Sequence, residues 1–205
     1  MRGAAVELGL IGCGGMGRRH LHGLVELHRA AGDATVRLAA VADRDEARAS
    51  TLAAEAERLL GRRPAVFPNQ DAMAASSAVE AVAITTGTES HADLCCAALE
   101  RELHVLVEKP LAVTVAECLR VQRAAARAGC VVGVAEQVRR EAAHRLARAA
   151  IESGLIGDVR VVIDQACTGG DSILLTPWRH RKFTGGTLLD VMVHTADLLE
   201  YLAGR

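Results

Sequence analysis

Three groups of residues in this 205-residue sequence are of types and spacings that could do chemistry. The first is Gly12-Cys13-Gly14-Gly15-Met16-Gly17, whose spacing puts glycines where a tight turn, a close phosphate approach and close helix packing each exclude a Cβ. A helix opening on such a loop turns its N-terminal N–H groups toward a pyrophosphate. The second is Lys109, followed by Pro110. Lysine occurs only at positions 109 and 182 among 24 basic residues, so a lysine at a strand end stands out from the arginine background. Its compact ammonium can donate to a reacting hydroxyl in a way a guanidinium does not copy. The third is Asp190 with His194, on a segment that is apolar nearly all round. At that spacing the two share a helix face, and being buried they must be paired or face a cavity. An Asp one turn before a His can hold the imidazole in one tautomer and raise its basicity, giving a general acid/base near neutral pH. Asp197 reads more simply as a structural residue.

The elements that must position these groups follow from the alternation of short apolar runs with longer amphipathic ones, the pattern of a parallel sheet with crossover helices. Strands are expected at 6–11, 36–42, 65–67, 81–85, 104–107 and 131–135. Helices are expected at 15–30, 45–60, 69–75, 91–100 and 114–128. This is the rhythm of a Rossmann doubly wound sheet, and it places the glycine loop after the first strand and Lys109 after the fifth. From Arg139 the rhythm changes to a helix at 141–153, a strand at 158–167 and a final helix at 187–202. The expected organisation is α/β: a nucleotide-binding Rossmann domain over 1–137, then a partial substrate or catalytic domain over 138–205. One strand in the second part has no ladder partner of its own, so that domain reads as an incomplete α/β unit with an open mixed sheet.

The second strand delivers Asp43, 26 residues after Gly17. A carboxylate there accepts from the ribose hydroxyls of NAD and repels the 2′-phosphate of NADP. The adjacent Arg44 could cover the adenine face or hold a 2′-phosphate, so NAD is favoured and NADP stays open. His91, after the fourth strand, lies at the cofactor edge. His20, His22 and His28 fall on the first helix and read as surface or seam residues.

Composition narrows the classes further. A net charge of −1 and four aromatics, Phe67, Trp178, Phe183 and Tyr201, argue against a nucleic-acid partner. Six cysteines without C-x-x-C or zinc spacing point to free thiols, a reducing cytoplasmic compartment and no metal. No apolar run has the length of a membrane span.

Together with Thr85-Thr86 and His91, with Glu108-Lys109-Pro110-Leu111-Ala112, and with Gly185-Gly186 before Asp190-x-x-x-His194, the glycine loop resembles that of the Gfo/Idh/MocA oxidoreductases. These are NAD(P)-dependent enzymes of the glucose-fructose oxidoreductase and inositol dehydrogenase type. The resemblance implies hydride transfer between nicotinamide C4 and a carbon of a sugar, polyol or related small-molecule substrate. It implies that Lys109 hydrogen-bonds the reacting oxygen, that His194 is the general acid/base and that Asp190 supports it. The cofactor side comprises Gly12, Cys13, Gly14, Gly15, Met16, Gly17, Asp43, Arg44, Thr85, Thr86 and His91, with Glu108 and Gln137 at the nicotinamide end. Arg139 and Trp178 fall where substrate-side residues are found. Gly87 departs from the proline common in the family, and the chain reads as C-terminally short, with a homo-oligomer expected of a longer form carrying the remaining sheet. Two other functions remain open: an NAD-dependent glycosidase of the same superfamily and an inactive nucleotide-binding remnant.

Overall fold

The computed structural model describes residues 5–31, 35–76, 79–165 and 181–203. The chain divides into two compact units, 1–134 and 135–205, each described by itself.

The first unit runs β1 (Val6–Ile11), α1 (Gly15–Ala31), β2 (Val36–Ala42), α2 (Glu46–Leu60), β3 (Ala65–Phe67), α3 (Gln70–Ala75), β4 (Ala81–Ile84), α4 (Thr88–Leu99), β5 (His104–Glu108), α5 (Val115–Ala128) and β6 (Val132–Ala135). The sheet order is β3-β2-β1-β4-β5-β6. The β1–β2, β1–β4, β2–β3 and β4–β5 pairs are parallel. The order reverses between β1 and β4, and ligands in such sheets bind at the carboxyl ends of the strands beside that point.

Both faces of the sheet are covered, which is why its strands read as apolar runs rather than alternating ones. Leu10, Leu38, Val41 and Ala83 pack under Leu21 and Leu24 of α1 and under Ala49, Leu52, Ala53 and Ala56 of α2. On the opposite face Ile11, Ala42, Val82, Ile84 and Val107 meet Met73, Cys95, Leu99 and Val121 from α3, α4 and α5. Each fully buried Leu, Ile or Val contributes about 1.5–3 kcal/mol, so this double core holds the strand ends in fixed positions. Local signals set the helix boundaries. Asp45 caps α2 by accepting from the N–H groups of Ala47 and Arg48, and Thr114 with Glu117 forms a reciprocal capping box on α5.

The second unit holds α6 (Ala142–Glu152) and α7 (Gly186–Ala203), with short 3₁₀ turns at Val138–Arg140 and Lys182–Thr184. The strand expected at 158–167 is not formed over 158–165, and positions 166–167 lie outside the described residues. Val161 and Ile163 are 75% and 79% exposed, and no described strand lies beside them to complete a ladder. Alternating apolar residues are a strand signal only where a neighbouring strand exists to receive them.

Among the described residues no helix is long and apolar enough to cross a membrane, and no group of three or more potential ligand side chains could hold a metal ion. Cys13, Cys95, Cys96, Cys118 and Cys130 are free thiols.

Candidate functional site

The glycine loop is shaped by two different constraints. Gly12 follows β1 with φ +94°, and a Cβ there would come 2.9 Å from the Thr85 carbonyl carbon. A Cβ on Gly17 would run into the Gly12 carbonyl oxygen. Gly12 and Gly17 are therefore required by the fold itself. A Cβ on Gly14 would meet nothing within 4 Å. The protein leaves room there for the atoms of something else, which is the arrangement a close phosphate approach demands.

The helix end beside that space fits an anion. Asp45, Asn69 and Thr114 cap α2, α3 and α5 with side-chain oxygens, whereas the first turn of α1 carries no acidic residue. Its first N–H groups, from Gly15, Met16 and Gly17, thus lack the local carboxylate that would compete with a pyrophosphate. Gly15 and Met16 are exposed and Cys13 is buried.

Asp43 stands at the end of β2 with both carboxylate oxygens engaged by backbone. Oδ2 accepts from Cys13 N–H at 2.7 Å and Oδ1 from Asp45 N–H at 2.9 Å. The residue expected to read a ribose therefore also ties the glycine loop to β2. Each oxygen keeps a second lone pair for a hydroxyl donor. Burial, reinforced by the Asp43 charge, pushes the Cys13 thiol up to about 12, so Cys13 contributes backbone rather than a nucleophile. Arg44 is exposed.

Thr85 and His91, expected on the cofactor side, are both hydrogen-bonded to backbone carbonyls. The Thr85 hydroxyl lies 2.6 Å from Gly12 O and 3.1 Å from Ile11 O, so it braces the loop from beneath. His91 is 1% exposed, with Nδ1 at 2.8 Å from Pro110 O and Nε2 at 3.2 Å from Thr86 O. Both ring nitrogens face backbone carbonyls. The physical reason is that α4 begins at Thr88, so His91 sits in its first turn and points into the core. Thr86 Oγ1 pairs with Ser90 Oγ at 2.7 Å. Gly87 has φ −72°, a value proline also adopts.

At the end of β5, Glu108 is buried. Its Oε1 is 2.8 Å from His20 Nε2, and its Oε2 accepts from Lys109 N–H at 3.2 Å. His20, expected at the surface or a seam, is half-buried and partners the Glu-Lys-Pro segment. Its position one turn beyond Gly17 was the available signal: that turn of α1 lies nearest the strand ends. His22 and His28 do sit toward the outside, paired with Glu55 and with Val36 O. Lys109 is half-buried, and the Lys109–Pro110 bond is cis.

In the second unit, His194 Nδ1 lies 2.7 and 2.8 Å from the two carboxylate oxygens of Glu136. Val138 N–H donates to Glu136 Oε1 at 3.0 Å. The expected holder of this nitrogen, Asp190, is buried on the same helix, but the carboxylate on Nδ1 is Glu136, which sequence reasoning missed. Helical spacing reveals residues that share a face; it is blind to a partner 58 positions away. Arg139, expected on the substrate side, is committed elsewhere. Its Nε donates to Asp197 Oδ2 at 2.8 Å, an Nη donates to Oδ1, and the guanidinium lies over the Tyr201 ring at 5.5 Å. Asp197 is accordingly structural. Gln137 is exposed, and Trp178 lies outside the described residues.

Comparison with known proteins agrees with this architecture. The family model described as an oxidoreductase family with an NAD-binding Rossmann fold (GFO/IDH/MocA) matches residues 6–136, and the GFO/IDH/MocA C-terminal domain matches residues 144–205. Inositol 2-dehydrogenase 2 of Saccharopolyspora erythraea is 36% identical over 207 residues, covering 98% of this chain and 54% of the relative. A 1,5-anhydro-D-fructose reductase of Ensifer adhaerens is 38% identical over 130 residues, covering 60% of this chain and 38% of that one. The WlbA dehydrogenase from Bordetella pertussis, solved with NADH and UDP-GlcNAcA, superposes with a TM-score of 0.78 at 25% identity, over 98% of this chain and 60% of that chain. The chain thus spans about half the length of curated relatives such as the inositol dehydrogenase it matches.

Proposed function

The chain belongs to the Gfo/Idh/MocA oxidoreductase family, and on that premise we propose that it works with NAD to move a hydride between the nicotinamide and a hydroxyl-bearing carbon of a polyol or sugar. The observation that carries this reading is the carboxyl edge of the sheet in the first unit. There Gly14 leaves open space beside a helix start with no acidic residue in its first turn, while Asp43 and Lys109 directly follow β2 and β5.

In this reading the N–H groups at the start of α1 hold the pyrophosphate and Asp43 accepts from the ribose hydroxyls. A carboxylate at that place disfavours a 2′-phosphate, so NAD is the cofactor. Glu108 and Gln137 line the nicotinamide end. When bound, NAD supplies the hydride acceptor. The Lys109 ammonium donates to the substrate oxygen and stabilises the negative charge that grows on it. His194 takes the hydroxyl proton in oxidation and returns it in reduction, and Asp190 supports the substrate end. Thr85, His91 and His20 hold the loops that carry these groups. The free thiols among the described residues support a reducing, cytoplasmic setting.

The test is incubation with NAD and a panel of polyols and sugars that includes myo-inositol, following NADH absorbance. Accumulation of NADH in the wild type and its loss in Lys109→Ala is the expected result. Release of an aglycone with no net NADH would make the protein a glycosidase, and bound NADH without turnover on any substrate would make it a nucleotide-binding remnant.

A further inference from the structure

The second unit contains a carboxylate–imidazole pair whose carboxylate, Glu136, is given no role by the expected motif or the family match. Glu136 is 8% exposed at its side chain and His194 is 21% exposed. A buried carboxylate is costly unless its oxygens are satisfied. Here the Val138 N–H fixes Oε1 at 3.0 Å, and His194 Nδ1 lies within hydrogen-bond distance of both oxygens. Among the described residues, the other charged groups near this part of α7 include Asp190 one turn before His194, Asp197 on the next turn, Asp164, which accepts from Thr195 Oγ1 at 2.6 Å, and Arg139 from the 3₁₀ turn. Arg139 and Asp197 are bonded to each other, while His194 Nδ1 faces Glu136.

We propose that Glu136 is the positioning residue that holds neutral His194 as its Nδ1–H tautomer, so that the lone pair of Nε2 is the base presented to substrate. This rests on the reading of His194 as the acid/base. A carboxylate that can only accept forces the hydrogen onto the nitrogen facing it. The neutral ring in water favours the opposite tautomer, with hydrogen on Nε2. An isolated Asp190–His194 pair would also need no residue outside α7. The orienting role therefore belongs to the segment that follows β6 rather than to the helix, and Glu136 is as necessary to the site as the imidazole.

Ring-nitrogen NMR correlations of the 205-residue chain, recorded at a pH where His194 is neutral, read the tautomer directly. The wild type is expected to show a protonated Nδ1 and a bare Nε2. Glu136→Leu should revert to the Nε2–H form, and Asp190→Asn should leave the wild-type tautomer in place. A wild-type Nε2–H ring, a tautomer unchanged in Glu136→Leu, or a switch caused by Asp190→Asn would each overturn the proposal. If Glu136→Leu does not fold, the wild-type and Asp190→Asn spectra still decide it. With a turning-over substrate, Glu136→Leu should lower kcat about 100-fold or more while KM stays within about twofold, the pattern of a lost proton-transfer geometry. The NMR readout needs no turnover, so an Nδ1–H ring in a protein that forms no NADH would remove the proposed function and leave the Glu136 assignment standing.

Discussion

His20 Nε2 and Glu108 Oε1 stand 2.8 Å apart, joining the helix that opens on the glycine loop to the residue that precedes Lys109. The bond couples two parts of one strand edge: α1, whose N-terminus faces the open space at Gly14, and the end of β5, where Glu108 Oε2 also receives the Lys109 N–H. Replacing His20 by Ala leaves Glu108 buried with one oxygen unpaired, which costs about 1–3 kcal/mol. His20→Gln keeps a donor on the same side chain and should recover part of that loss. Urea unfolding of the two variants measures the difference.

The glycine loop separates folding from binding. Gly17→Ala drives a methyl group into the Gly12 carbonyl and should destabilise the protein by about 2 kcal/mol or more, because the obstacle is backbone. Gly14→Ala meets no protein atom, so its Tm should stay at the wild-type value while NADH affinity falls at least about tenfold, or 1.4 kcal/mol. Thermal unfolding and calorimetric titration of the two variants give the comparison.

Asp43 has two roles, and substitution divides them. Asp43→Ala releases the N–H groups of Cys13 and Asp45 and removes the ribose acceptor, so both stability and NADH affinity should fall. Asp43→Asn keeps an oxygen acceptor but loses the charge, and should narrow the preference for NADH over NADPH. Parallel titrations with the two cofactors check this; an unchanged ratio would mean that Asp43 does not read the ribose.

Acid stability has an identifiable contributor. The Arg18 hydrogen bond to Glu55, helped by His22, holds the Glu55 carboxyl below its ordinary value near 4.5. A carboxyl depressed in the folded state contributes stability that is present above its unfolded pKa and lost as pH falls through the folded one. Glu55→Gln should therefore lower the Tm at neutral pH and lose less than the wild type as pH drops below about 4.5.

The fold was legible where local signals and the core agree. Strands β1, β2 and β3 fall on the expected residues because apolar runs bounded by Gly12, Asp43 and Pro68 have no other reading in a sheet covered on both faces. Helix α4 begins at Thr88, ahead of the expected His91. Gly87 supplies no capping side chain to mark the start, and the shift carries His91 into the core. Residues 158–165 form no strand because strand formation depends on a neighbour that a local pattern cannot supply. Site residues followed the same division. Lys109, Asp43 and the glycines announce themselves by type and place. Glu136 and His20 act through partners 58 and 88 positions distant, and only the packed structure brings those together.

The central claim is that a hydride passes between substrate carbon and nicotinamide on this protein. It is tested most directly by supplying NAD and myo-inositol deuterated at its ring carbons, alongside equally labelled sugars, and recovering the nicotinamide product. The account predicts deuterium at C4 of the nicotinamide with the wild type and none with Lys109→Ala. A wild-type protein that binds NADH yet leaves the nicotinamide unlabelled with every substrate in the panel would contradict it.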